Sequence, residues 1–99
     1  MNKIISYIGF AIKAKKVIIG QSHLKRATDK IHLILVCSTA SDNLKNLAKN
    51  IATRQQCEMI VTEPLLETLT NIKDIKIIGI TDESLSKAII TNKEKINIG

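Results

Sequence analysis

Aromatic side chains are almost missing from this chain: Tyr7 and Phe10 stand alone, and there is no tryptophan. Proteins that hold single strands by stacking bases on rings need more than two. Glycine is scarce at four residues, and no two are close together. Gly20 follows its apolar run alone, so neither a dinucleotide fingerprint nor a phosphate loop can be built. Proline occurs once, at Pro64. Cysteine occurs twice, at Cys37 and Cys57, with no C-x-x-C and no Cys/His ladder. That spacing argues against a zinc site, and two isolated thiols suit a reducing, cytoplasmic setting. No metal and no cofactor is expected. No apolar run has the length of a transmembrane helix. The opening "MNKIISYIGFAIKAKK" is broken by Ser6 and Gly9 and runs into lysines without a small-residue cleavage site, so it is not read as a signal peptide. No membrane partner is expected.

Acidic residues are nearly absent from the first third. Residues 1–30 hold Lys3, Lys13, Lys15, Lys16, Lys25, Arg26 and Lys30 against Asp29 alone. The other 69 residues hold eight basic and eight acidic side chains. The net charge of +6 therefore belongs to the first third. A one-sided basic patch is the footprint of a polyanion partner, and nucleic acid is favoured over a merely solvated face.

The apolar pattern of these 99 residues predicts one domain. Ile4, Ile5, Ile8, Ala11 and Ile12 recur at helical spacing and predict a helix over 2–15. Val17 to Ile19 read as a short strand, and 21–30 as a second helix with Leu24 and Ala27 inward. "IHLILVC", 31–37, is a buried strand by its continuous apolar run, with His32 as an edge residue at its head. "STASDN" offers several N-caps to a helix facing inward through Leu44, Leu47, Ala48 and Ile51. "CEMIV", 57–61, is a third strand. Pro64 suits the first position of a helix carrying Leu65, Leu66 and Leu69. "IKIIGI", 75–80, is a fourth strand, and Asp82 caps a last helix. Alternating strands and helices predict an α/β fold: a three-layer α/β/α sandwich on a small four-stranded mixed sheet.

Catalytic residues are not expected. Ser22 and His23 are adjacent, but no acid is spaced to orient His23 or His32, and adjacency is not triad geometry. Cys37 reads as a small core residue. Asp82 and Glu83 read as a cap and a first-turn acid. What stands out is "VIIGQSHLKR", 17–26, where a strand turns through Gly20 into a helix start with Lys25 and Arg26 beside it. Helix N-termini attract anions.

Taken in order, "IGFAIKAKKVIIG", "LILVCSTASDN", "EMIVTEPLLETLTN" and "IIGITDESLSKAI" resemble the kink-turn RNA-binding ribosomal-protein family, which includes ribosomal proteins L-seven-Ae and L-thirty-e. The likeness is strongest to that family's small bacterial members. Their "GLA-x-RA-x-K-x-x-x-G" stands here as Gly9, Phe10, Ala11, Lys13, Ala14, Lys16 and Gly20. Their "A-S-x-N" is matched by Ala40, Ser41 and Asn43, and their "V-T-D" by Ile80, Thr81 and Asp82. The resemblance implies an α/β/α sandwich and RNA held by the start of the second helix and two neighbouring loops. Strong kink-turn binders follow the glycine with "x-N-E", which reads the edges of tandem G·A pairs; here those places hold Ser22 and His23. The family's "L-G-x-x-x-G" loop reads Leu66, Glu67, Thr68, Leu69, Thr70 and Asn71, without either glycine.

The expected function is that of a non-enzymatic, ribosomal-protein-like RNA binder. Its partner would be ribosomal or another structured, kink-turn-like RNA, on the ribosome or free, with weakened sequence specificity. The expected RNA-binding residues are Lys13, Lys15, Lys16, Gly20, Gln21, Ser22, His23, Lys25, Arg26, Ser38, Thr39, Leu66, Glu67 and Thr68. The alternative is a protein-interaction module on the same scaffold.

Overall fold

The amphipathic stripes sort the chain into helices and strands much as their periods dictate. A computed structural model describes residues 3–98, and side chains over 4–92. Asn2, the start of the expected first helix, and the side chains of Lys3 and Lys93 lie outside the described residues. The elements are α1 (Lys3–Lys13), β1 (Val17–Ile19), α2 (Gln21–Arg26), β2 (Leu33–Cys37), α3 (Asp42–Gln55), β3 (Glu58–Thr62), α4 (Leu66–Thr70), β4 (Ile77–Ile80) and α5 (Glu83–Ile98). The described residues thus form an α/β domain of five helices and one four-stranded mixed sheet. Among them, no helix is long and apolar enough to cross a membrane.

The strand order is β1-β4-β2-β3. β4 runs antiparallel to both β1 and β2, while β2 and β3 are parallel. All five residues of β2 are buried because both sheet faces are covered. Leu33, Leu35 and Cys37 face one core with Ile8 and Ala11 of α1, Leu66 of α4 and Ile89 of α5. Ile34 and Val36 face the other with Leu24 of α2 and Ala48, Ile51 and Ala52 of α3. This alternation makes the three layers. Each large aliphatic chain so buried contributes roughly 1.5–3 kcal/mol.

Several element ends depart from the sequence reading, for reasons in the backbone. The second helix stops at Arg26, not 30, because Ala27 turns extended at ψ 130. The chain is then tied to α3: Gln55 accepts from Ile31 N–H at 3.2 Å, so the N–H of Ile31 goes to a helix rather than to the sheet. His32 is not an edge residue, for β2 lies between β4 and β3, and its N–H donates to the Ile80 carbonyl at 2.8 Å. Pro64 does not open a helix. Leu65 holds the cap position at φ −132, and α4 begins at Leu66. The expected caps of the long helices do form: Ser41 Oγ accepts from Leu44 N–H at 3.2 Å, and Asp82 Oδ2 from Leu85 N–H at 2.8 Å.

Candidate nucleic-acid interface

Strand direction decides which loops meet. β1 and β2 are each antiparallel to β4, so β1, β2 and β3 all point the same way. Their carboxyl ends, at Ile19, Cys37 and Thr62, share one end of the sheet with the start of β4 at Ile77. Backbone bonds close the group. Gly20 N–H donates to the Ile77 carbonyl at 3.2 Å, Cys37 N–H to Lys76 at 2.7 Å and Ser38 N–H to Thr62 at 2.7 Å. This is the loop end of the molecule.

Gly20 makes the turn there. At φ 91 and ψ 151 it occupies backbone space that side-chain-bearing residues rarely enter. Nothing but His23 Nδ1, at 4.0 Å, would meet an added Cβ, so the requirement is conformational rather than spatial. His23 folds back over this turn, and its Nδ1–H donates to the Ile19 carbonyl at 2.9 Å. No side chain caps α2. The helix has only six residues, so its start offers a few bare N–H groups rather than the summed dipole of a long helix.

Three shallow depressions join around Ile75. One, of about 490 Å³, is lined by Val17, Ile19, Gly20, Gln21, Ser22, His23 and Ile72. The second lies between Cys37, Thr39, Pro64, Leu65, Leu66, Glu67 and Thr68. The third runs past Ser41, Leu44, Asp74 and Lys76. Lys76 Nζ bridges two of these walls by donating to Thr39 Oγ1 at 3.3 Å and to the Thr39 carbonyl at 3.5 Å. Cys37 is 4% exposed, and its Sγ lies 2.9 Å from Thr39 Oγ1. Both cysteines are free thiols. Burial pushes the Cys57 thiol up, Lys30 pulls it down and Glu58 adds to the rise. Among the described residues no three His, Cys, Asp or Glu side chains stand together as a metal site.

The expected site residues fall into two groups. Gly20, Gln21, Ser22, His23, Ser38, Thr39, Leu66, Glu67 and Thr68 come together at the loop end. Lys13, Lys15 and Lys16 do not join them. Lys16 precedes β1, and its carbonyl accepts from Thr81 N–H at 2.9 Å beyond the far end of β4. Three residues of strand separate it from Gly20, about 13 Å at ordinary strand rise. Lys25 and Arg26 occupy the last turn of α2, on its way to the same far end. Arg26 Nε donates back to the Ser22 carbonyl at 3.4 Å. The loop end instead carries Lys73 and Lys76 against Glu63, Glu67 and Asp74. Charge and loop cluster are therefore segregated, which the linear charge count did not reveal.

The segment 71–76 is the part of the site that sequence reasoning missed. Asn71 and Asp74 both take left-handed backbone, at φ 58 and 64, and carry the chain under the cleft to Ile75. Their residue types were the available signal, since Asn and Asp tolerate that conformation better than most. Asn71 stands where the resembled loop has its second glycine, and it takes left-handed backbone. Glu67, at the first, is an exposed side chain in the opening turn of α4.

No protein-family model matches the chain, and no curated protein matches it. Among solved structures it is similar to a protein with unknown function from Bacillus halodurans C, at a TM-score of 0.85 and 18% sequence identity. The alignment covers 95% of this chain and 99% of that one. At this identity the likeness shows the fold: a small α/β domain with helices on both faces of a mixed sheet.

Proposed function

We propose that this protein is a non-enzymatic, ribosomal-protein-like RNA binder of the cytoplasm that contacts structured, kink-turn-like RNA with weak sequence discrimination. One observation carries the reading. Gly20 to His23, Ser38 to Thr39 and Leu66 to Thr68 are distant in sequence, yet they meet at one end of the sheet. They are the same three segments that the family resemblance assigns to RNA. Open α/β sheets gather ligands at the carboxyl ends of their strands. Phosphate contacts position a protein on RNA, while base-edge contacts specify. Ser22 and His23 replace the Asn and Glu that would read base edges, so positioning outweighs reading.

The test compares affinities for a kink-turn and a matched plain duplex, in the wild type and in Ser22→Asn with His23→Glu. The wild type should bind both, with little preference. The double variant should gain preference for the kink-turn by roughly 1–3 kcal/mol, the worth of a base-edge pair. His23→Glu also gives up the hydrogen bond to the Ile19 carbonyl, so a melting curve should accompany the titration. A wild type that binds neither RNA would sink the reading, and strong wild-type discrimination would sink the claim of weak specificity.

A second reading, a protein-interaction module, has one observation in its favour. Ile72, 42% exposed, borders the cleft beside Ile19 and Ile75, giving it an apolar lip. Salt separates the two, since binding through several phosphates weakens steeply with salt and an apolar interface does not.

A further inference from the structure

We propose that the end of the sheet opposite the loop cluster is a second phosphate-binding surface, so that the protein holds two RNA segments at once, one at each end. This rests on the reading of the protein as an RNA binder and goes beyond it, because the loop cluster takes no part.

The backbone places cations that follow or end α1, α2 and α3 at that end. Lys15 and Lys16 close α1 where Thr81 N–H donates to the Lys16 carbonyl. Lys30 Nζ donates to the Gln55 carbonyl, and Arg54 Nη2 to the Leu24 carbonyl at 3.5 Å, which ties residues 24–31 to the end of α3. Among the described residues the one ion pair is Lys87 with Glu83, at 3.9 Å, so none of these cations is neutralised by an acid. Of the four acids at this end, Glu83 is paired with Lys87, while Asp82 accepts from Leu85 N–H and keeps its charge. Asp29, Glu58 and Asp82 therefore stand against Lys13, Lys15, Lys16, Lys25, Arg26, Lys30 and Arg54.

Compensation of helix dipoles does not account for the cations. α1 and α3 end here with about half a negative charge each, and the six-residue α2 adds less. That total is smaller than the excess of seven cations over three acids. Lys15 sits in left-handed backbone at φ 59, in the turn that closes α1, where glycine is the unstrained choice, and its side chain is exposed.

Two hairpins held at once are the signature of two separate surfaces rather than one. The test counts hairpins of a few base pairs per protein by native mass spectrometry at low salt, using full-length chain. The wild type should take two. Lys15→Glu with Lys16→Glu should take one, and the lost step should account for about two units of log–log salt slope. Lys15→Gly with Lys16→Gln guards against a folding failure, because glycine relieves the strained turn; it too should take one. A wild type that takes only one hairpin, or variants that keep the second, would overturn the proposal while leaving RNA binding at the loop end standing. A wild type that takes none would overturn both, and the count itself tells the two failures apart.

Discussion

Lys15 and Gln56 hold the same place in two different helices. In each, the following N–H reaches back five residues, Lys16 to Ala11 at 2.8 Å and Cys57 to Ala52 at 2.9 Å. In each, the residue at the bend has a left-handed backbone, at φ 59 and 56. Glycine adopts that region without strain, so Lys15→Gly should raise stability by roughly 1 kcal/mol, read as a higher urea midpoint at unchanged slope. An unchanged or lower midpoint would mean that the turn carries no such strain. Ser86 is a second local cost. It is 2% exposed on α5, and among the described residues its Oγ has no hydrogen-bond partner. Ser86→Ala removes a buried unsatisfied hydroxyl and should stabilise by roughly 1 kcal/mol; a destabilised variant would show that the hydroxyl has a partner in solution. Cys57 supplies a pH-dependent term. Burial first, then Glu58 against the opposing pull of Lys30, leaves its folded value above the ordinary 9.0. The folded state therefore keeps its thiol proton where the unfolded chain has lost it. The stabilisation is fully present below the ordinary value and is lost as pH rises through the raised one. Urea midpoints measured on both sides of that value should fall less in Cys57→Ala than in the wild type, and equal slopes would contradict the assignment.

At the scale of elements, α2 depends on one side chain. Leu24 is its only fully buried residue, and it lies on Gly79 of β4. A Cβ at Gly79 would stand 2.7 Å from Leu24 Cδ2 and 3.2 Å from Ile31 Cγ2. Gly79→Ala should therefore cost roughly 1–3 kcal/mol by overpacking. It should also speed amide exchange across Gln21–Arg26 more than across α3, and uniform exchange in both helices would refute this dependence. The helices with strong periodicity were legible in the sequence. Leu44, Leu47, Ala48 and Ile51 marked α3, and Asp82 marked the start of α5. Each of these signals is local, set by a cap or by spacing of 3.6. The end of α2 was not legible, because Gln55, from a distant helix, takes the N–H of Ile31. Nor was the placement of Pro64, since nothing local shows that Leu65 stays outside the helix.

For the whole molecule, the decisive fact is the insertion of β4 between β1 and β2. No periodicity announces it, yet it brings Gly20, Ser38 and Leu66 to Thr68 to one end and makes Ile75 the hub between them. The same insertion puts the β1 start, with Lys15 and Lys16 before it, at the other end. A linear count placed all the basic excess beside Gly20, whereas the sheet separates the two by the length of a strand. In the proposed reading, the charge of +6 acts over the whole body as long-range attraction for a polyanion, while the loops at one end set register. Ultraviolet crosslinking of the intact protein to a kink-turn RNA, with mass-spectrometric mapping of the attached peptides, tests this most directly. The account predicts crosslinks within Gly20 to His23, Ser38 to Thr39 and Leu66 to Lys76. Crosslinks absent from all three segments, with RNA bound, would contradict it.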